Sequence, residues 1–344
     1  MSKHYLVTGG AGFIGSNYVH RLLSRGERVT VFDNLSRAGA PLNIEWLRST
    51  HGEGSFQLIV GDIRDADKLA QVTRDVDIIL HLAGQVAVTT SVVDPRSDFE
   101  DNALGTFNVL EAARLSGRKP IVIYASTNKV YGGMEEVRVE EGSTCYKYAD
   151  LPFGVPETQM LDFHSPYGCS KGAGDQYMRD YHRIYGLNSV VFRQSCIYGP
   201  RQFGIEDQGW VAWFVIAALL AKQITIYGDG KQVRDVLFID DLLDVYDTAI
   251  ANITTAAGQV YNIGGGPANT LSIWQEFGPL LEKLLGRKIP VERGNWRPGD
   301  QHVYISDIRK AERYLGWQPK VSVEDGVRRL FEWVKSNKQL FSSA

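Results

Sequence analysis

Tyr5-Leu-Val-Thr-Gly-Gly-Ala-Gly-Phe-Ile-Gly15 is an apolar run that breaks into glycines and resumes as an amphipathic stretch. A strand that must turn at once into a helix leaves few folds open. Glycines at 9, 12 and 15 have the spacing G-x-x-G-x-x-G. They permit the tight turn, let backbone N–H groups approach a pyrophosphate, and let the helix pack closely on its strand. Gly9, Gly12 and Gly15, with Phe13 and Ile14 opening the helix, are therefore candidate ligands of a dinucleotide. The positive end of the helix favours its phosphates. Strand–helix alternation then continues. Apolar runs at Val29–Phe32, Phe56–Val60, Asp77–Leu80, Pro120–Tyr124 and Ser189–Phe192 are separated by helix-like segments, the longest from about Ser97 to Leu115. This pattern predicts an α/β fold with a doubly wound parallel sheet of the Rossmann type.

After Arg193 the alternation loosens. Helix-like Trp210–Leu220, Ser272–Leu285, Asp307–Leu315 and Glu324–Ser336 mix with strand-like Ile224–Tyr227, Val236–Ile239 and Val260–Ile263. The expected division is a dinucleotide domain over 1–193, with contributions from about 233–263, and a smaller mixed α/β substrate domain over 194–344. Gly132–Ser165 is long, polar and irregular, as functional loops often are.

Asp33 ends the second strand, where a carboxylate hydrogen-bonds the adenosine ribose and opposes the extra phosphate of NADP. Asn34, Ser36 and Arg37 share its loop, and an arginine there can accommodate that phosphate. Asp62 and Ile63 follow the third strand; Leu82, Ala83 and Gln85 follow the fourth. All are assigned to the cofactor by their place at strand ends, and the expected cofactor is NAD. No metal site is expected. Net charge is −3, so no basic field suits nucleic acid or an anionic membrane, and phosphate affinity must be gathered locally. Three cysteines, the absence of a leader, and no apolar run near ~20 residues indicate the cytoplasm.

Tyr167-Gly-Cys-Ser-Lys171 places a phenol and an ammonium on one face if the segment is helical. A tyrosine is mostly protonated at neutral pH, and positive charge from Lys171 and an oxidised nicotinamide favours phenolate. Pro120-Ile-Val-Ile-Tyr-Ala-Ser-Thr127 runs from a buried strand into hydroxyl residues, so Thr127 can hold a reacting sugar oxygen beside Tyr167. Thr127, Tyr167 and Lys171 are the candidate catalytic residues. Asn102, in the long helix, is read as structural.

Together these segments resemble the extended short-chain dehydrogenase/reductases, which include nucleotide-sugar epimerases and dehydratases. The resemblance spans nearly the whole chain: the glycine loop, Asp33, Gly61-Asp62, His81-Leu-Ala83, Ser126-Thr127 before Val130-Tyr-Gly132, Tyr167-x-x-x-Lys171, Arg193 with Tyr198-Gly-Pro200, and Arg234-Asp235. Sugar 4,6-dehydratases carry Asp then Glu after the threonine, as acid and base for eliminating water. This chain has Asn128 and Lys129, which cannot take those parts. Ser126-Thr-Asn-Lys-Val-Tyr-Gly132, Phe192–Phe203 and Asp207–Trp213 are similar instead to the CDP-paratose 2-epimerases (CDP-tyvelose epimerases). That likeness implies an NAD-dependent isomerase that oxidises a CDP-sugar transiently at carbon 2 and returns hydride to the opposite face. A UDP-sugar 4-epimerase (UDP-glucose or UDP-glucuronate type) and a non-catalytic NAD-binding sensor are the alternatives on the same fold.

The resemblance also implies a nucleotide-diphosphate sugar substrate and a homo-oligomer, dimer or tetramer. Arg201, Arg234 and Arg297 are the candidate diphosphate ligands, because the planar guanidinium pairs phosphate oxygens. Arg297-Pro-Gly-Asp300 is expected to be a rigid loop. Asn128 and Gln208 complete the expected substrate set with Cys196, which stands where many relatives have a diphosphate-binding asparagine.

Overall fold

The computed structural model describes residues 2–297 and 300–341. Strands β1 (His4–Thr8), β2 (Arg28–Asp33), β3 (Gln57–Val60), β4 (Ile78–His81), β5 (Ile121–Thr127), β6 (Ser189–Gln194) and β7 (Val260–Ile263) form one sheet. Their order is β7-β6-β5-β4-β1-β2-β3. The pairs β1–β2, β1–β4, β2–β3 and β4–β5 are parallel, with Thr8 opposite Phe32 on one side and His81 on the other. Every residue of β1 and β4 is buried, so both faces are covered, and these strands read as continuous rather than alternating apolar runs. Chain order reverses at β1, and in open sheets of this kind ligands bind beyond the carboxyl ends of the strands at that switch point.

One face of the sheet packs Leu6, Phe32, Ile79, Val122 and Tyr124 against Val109, Leu110 and Met178. A ladder of rings, Tyr5–Tyr18–Tyr246–Phe192, forms a second buried contact, and the Tyr18 hydroxyl donates to Asp247 at 3.0 Å. Helix α1 (Phe13–Ser24) follows β1, and α2 (Ser165–Tyr185) precedes β6. Glycine inside a helix costs up to about 1 kcal/mol against alanine. In α2 the space is needed: a Cβ on Gly174 would lie 2.5 Å from the Tyr124 hydroxyl, so the helix could not sit as close to β5.

By contact density the chain divides into two compact units. The first is Met1–Val130, Phe163–Arg193 and Leu243–Tyr261; the second is Tyr131–Asp162, Gln194–Leu242 and Asn262–Ala344. In the second, strand Val233–Asp235 lies between Thr270–Ser272 and Val303–Tyr304, and Leu237–Phe238 pairs with Ile197–Tyr198. Trp210, Phe214, Trp274 and Phe277 form its aromatic core around helices Trp210–Leu219 and Phe277–Leu285. Gly132–Ser165 contains one hairpin, Val139–Glu141 with Tyr146–Tyr148.

Three elements differ from the sequence expectation. The long helix is interrupted by a π turn at Glu100–Leu104, between Pro95–Phe99 and Gly105–Leu115, which a 3.6-residue periodicity does not register. The expected strand Val236–Ile239 is shortened to Leu237–Phe238 and separated at Val236 from Val233–Asp235. Buried Asp235 accepts from Ser195 Oγ and from the Ser306 and Gly266 N–H groups, the ladder changes partner at Val236, and the following helix begins at Ile239. Ser272–Leu285 is helical only from Phe277, since Ser272 belongs to a strand. Among the described residues no helix is long and apolar enough to cross a membrane.

Candidate active site

β1 ends at Thr8 and the chain turns at Gly9, whose φ of +70° disfavours any side chain. The Gly9 N–H donates to the Phe32 carbonyl at 2.8 Å, and a Cβ there would lie 2.7 Å from the Ala83 nitrogen. A Cβ on Gly15 would strike the Gly9 carbonyl. At Gly12 a Cβ would meet only that carbonyl oxygen, at 3.2 Å, so this edge of the loop is open. No side chain caps α1, which leaves the Phe13 and Ile14 N–H groups as donors at the positive end of the helix. A cradle of backbone donors without side chains fits a pyrophosphate.

Asp33 accepts the Ala11 N–H at 3.0 Å and the Leu35 N–H at 2.8 Å, one on each oxygen. Each oxygen retains a lone pair for a ribose hydroxyl. Burial pushes the Asp33 carboxyl up, and the two backbone bonds oppose this. Asn34 accepts the Ser36 N–H and bonds Asp62, which Arg64 grips through two nitrogens at 2.9 and 2.7 Å, holding that carboxyl low. Ile63 is buried, and its carbonyl accepts from Asn108. Leu82 and Ala83 donate to the Thr8 carbonyl and hydroxyl. The Gln85 side chain is bonded to both backbone groups of Ala87, so it is committed to its own loop. Arg37 differs from the rest of its loop, since its charge acts on Tyr167 as well as on Asp33.

At the end of β5, Thr127 hydrogen-bonds the Tyr167 phenol, donates to Asn128 Oδ1 at 3.3 Å and accepts the Lys129 N–H at 3.2 Å. Thr127, Asn128, Tyr167 and Lys171 are all buried. Burial lifts the Tyr167 phenol to about 12, against the Thr127 bond and the Arg37 charge. It lowers the Lys171 ammonium to about 7, against Asp98 and Asp175. That ammonium lies 4.3 Å over the Tyr124 ring. The expectation that Lys171 and an oxidised nicotinamide together favour phenolate concerns the cofactor-bound site. In the cofactor-free chain desolvation outweighs the Thr127 bond and the Arg37 charge.

Residues that the sequence reading passed over surround this group. Asp175 is buried and paired with Arg193 at 2.9 and 3.0 Å, and it accepts from Ser126 Oγ at 2.9 Å, which ties α2 to the tips of β5 and β6. The signal was present: Tyr167, Lys171 and Asp175 recur every four residues on one helical face. Asp98 accepts from Ser170 Oγ at 2.6 Å and from the Asn102 amide at 3.0 Å. His81 joins Thr8 and Thr106, and burial keeps it neutral, down at about 3.

The second unit holds the expected substrate residues. Arg234 is buried and pairs with Asp300 at 2.7 Å. Asp300 also closes a turn on the Arg297 carbonyl, so the two arginines meet one loop; its Pro298 and Gly299 lie outside the described residues. Arg297 pairs with Asp207 at 2.9 Å and lies 4.1 Å over the Tyr227 ring. Arg201 has φ of +69° and stacks 5.6 Å over Trp333, and burial lowers it to about 10. Gln208 exchanges two backbone bonds with Ile205. Cys196 has φ of +41°, a value an asparagine adopts more easily, and its carbonyl accepts from Leu237.

Residues 6–330 match the model of the GDP-mannose 4,6 dehydratase family. The CDP-paratose 2-epimerase of Salmonella typhi is 48% identical over 338 residues, covering 96% of this chain and 99% of that protein. The UDP-glucose 4-epimerase of Mycolicibacterium smegmatis is 33% identical, over 97% of this chain and 99% of the other. Among solved structures, DesIV, a dTDP-glucose 4,6-dehydratase from Streptomyces venezuelae with NAD and TYD bound, has a TM-score of 0.84 and 32% identity over 99% of each chain.

Proposed function

This chain belongs to the GDP-mannose 4,6 dehydratase family, within the extended short-chain dehydrogenase/reductases, and from that premise we propose that it is an NAD-dependent CDP-paratose 2-epimerase. The observation that carries the reading is the 48% identity, end to end, with the Salmonella typhi enzyme of that activity. Asn128 and Lys129 agree with it, since neither can supply the acid and base of water elimination.

The first unit is the cofactor unit. Gly9, Gly12 and Gly15 with the N-terminus of α1 hold the pyrophosphate, Asp33 holds the adenosine ribose, and Lys171 reaches the nicotinamide ribose. NAD, when bound, supplies the hydride acceptor and donor for carbon 2. Thr127 positions the carbon 2 hydroxyl, and Tyr167 takes its proton as the ketone forms and returns it afterwards. Because burial keeps the Tyr167 phenol protonated in the empty protein, this base becomes competent only when positive charge enters its site. In the second unit Arg234 and Arg297 exchange their aspartates for the substrate diphosphate, with Arg201, Cys196 and Gln208 as further contacts. The protein works in the cytoplasm, consistent with three free cysteines. Exposed Val92, Val93, Phe99 and Ile184 on packed helices of the first unit support a homo-oligomer.

Incubation with CDP-paratose in heavy water, followed by proton NMR, tests the reading. Inversion at carbon 2 without uptake of solvent deuterium is expected, because that C–H bond is too weakly acidic for Tyr167 to remove as a proton. Inversion of a UDP-sugar at carbon 4 alone, or washout of a deuterium placed at carbon 2, would overturn it.

A further inference from the structure

Two carboxylates raise the Lys171 ammonium against its burial, Asp98 and Asp175. They are not equivalent. Asp175 is already neutralised by Arg193, which grips both of its oxygens. Asp98 is fully buried, at 1% exposure, and both of its oxygens accept from neutral donors, Ser170 Oγ and the Asn102 amide. Among the described residues neither Asp98 nor Lys171 makes a direct ion pair. A buried charge without compensation is costly, and two such charges of opposite sign on adjoining elements lower each other's cost.

The remaining groups around the pair do not alter this balance. On α2 Tyr167 is a neutral phenol, on β5 Tyr124 is held neutral by burial, and on β4 His81 is neutral. On the π turn, Asp101 has its own cation in Arg64, at 3.6 Å. The anchoring of Asp98 is also specific. Ser170 is the residue before Lys171, so the carboxylate is tied to the turn of α2 that bears this lysine. Asn102 is held by contact with Gly84, where a Cβ would collide with its Oδ1. With Oδ1 against Gly84, the amide presents its donors to Asp98 and Ser170.

We propose that Asp98 is a positioning residue, the counter-ion that keeps the buried Lys171 ammonium charged, held on target by Ser170 and Asn102. It acts through Lys171 and touches no reacting atom. Its consequence for turnover rests on the catalytic reading of Lys171 given above; the charge pairing does not. Asp98 also raises the Tyr167 phenol, so removing its charge eases the ionisation of Tyr167 and hastens the loss of the Lys171 proton. Both limbs of a pH–rate profile should then move to lower pH together.

The test follows the lysine directly. Cofactor-free protein labelled with [ε-13C]lysine is titrated by NMR, with the Lys171 signal assigned by its loss in Lys171→Met. Wild-type Lys171 should titrate near pH 7. In Asp98→Asn the midpoint should fall by about one pH unit, and Asp98→Glu should restore most of it. Ser170→Ala keeps the carboxylate but frees it, and should give a smaller shift in the same direction. Midpoints unchanged in Asp98→Asn and Ser170→Ala would overturn the proposal. The pH profile of kcat/KM with CDP-paratose is the second readout. A shift of both limbs, rescued by Asp98→Glu, supports the role, whereas a uniform loss at every pH with unmoved limbs contradicts it. If CDP-paratose is not turned over at all, the substrate assignment fails while the NMR titration still decides the pairing.

Discussion

In the first unit the groups offered to a ligand are backbone N–H donors and a few side chains fixed by buried neighbours. In the second they are long side chains borne by loops and short strands. Gly9 and Gly15 leave no room for a side chain, Gly12 leaves its edge of the loop open, and Asp33 is pinned by two N–H groups of its own loops. Arg234 and Arg297 are each held by an aspartate that a diphosphate would have to displace. A site built from backbone is made once by the fold and is ready before its ligand comes. A site built from paired arginines must exchange one anion for another, so the affinity it yields is a difference between two attractions.

The largest expected effect tests the prepared half. Tyr167→Phe removes one titrating hydroxyl from a buried position and should lower kcat by roughly 10²–10⁴-fold, the usual worth of general acid–base catalysis. NAD content and thermal unfolding should stay as in the wild type. Conversion of CDP-paratose followed by NMR, with cofactor released by denaturation and quantified, checks both halves of this statement. Normal turnover would take Tyr167 out of the mechanism.

Arg234→Ala and Arg297→Ala probe the other half. Charge-assisted hydrogen bonds are worth about 1.5–3 kcal/mol, so KM should rise roughly 10- to 100-fold while bound NAD is retained. Steady-state kinetics at saturating NAD separates the outcomes. If either variant lost its cofactor while KM stayed put, the division of labour between the two units would be wrong.

Asp33→Asn sharpens the contrast within the first unit. Removing a negative charge beside the ribose position should narrow the preference for NAD over NADP by about tenfold, read from binding titrations with each cofactor. The amide keeps only one of the two acceptors for the Ala11 and Leu35 N–H groups, so the ratio of the two affinities, rather than either affinity alone, is the readout. Equal affinity of the wild-type protein for both cofactors would show instead that Arg37 governs that pocket.

The same contrast explains what could be read from the sequence. The sheet, the glycine loop, Thr127 at the tip of its strand and the Tyr167–Lys171 spacing were legible because each is a local pattern: a strand end, a G-x-x-G-x-x-G spacing, or an i,i+4 repeat. Asp98 was not legible. It matters through contacts to Ser170, 72 positions away, and through a π turn that leaves no periodic trace. The aspartate partners of Arg234 and Arg297 were hidden for a related reason, since Arg234 and Asp300 are separated by 66 positions. Sequence shows which cations can lie near Tyr167 but not how dry the site is, and burial sets the direction of its shift in the cofactor-free chain.

The last expected effect concerns stability, and it isolates the cost of preparing the site. Lys171 titrates near 7 in the folded, cofactor-free protein against 10.5 for an exposed lysine. Between those values the unfolded chain binds a proton that the folded chain does not. Stability should therefore rise with pH across this window, with a slope of up to about 1.4 kcal/mol per pH unit from this group. Below pH 7 both states hold the proton, the slope vanishes and the full penalty remains. His81, down at about 3, changes stability only below pH 6.5, and Tyr167, up at about 12, acts only above pH 10, so neither intrudes. Lys171→Met should remove the slope, making the variant more stable than the wild type near pH 7, with the advantage fading toward pH 10. Urea denaturation of cofactor-free wild type and variant at pH 7, 8, 9 and 10 measures this. Parallel pH dependences in the two proteins would mean that the ammonium is solvated in the folded state, and that the first unit gains its readiness without burying a charge.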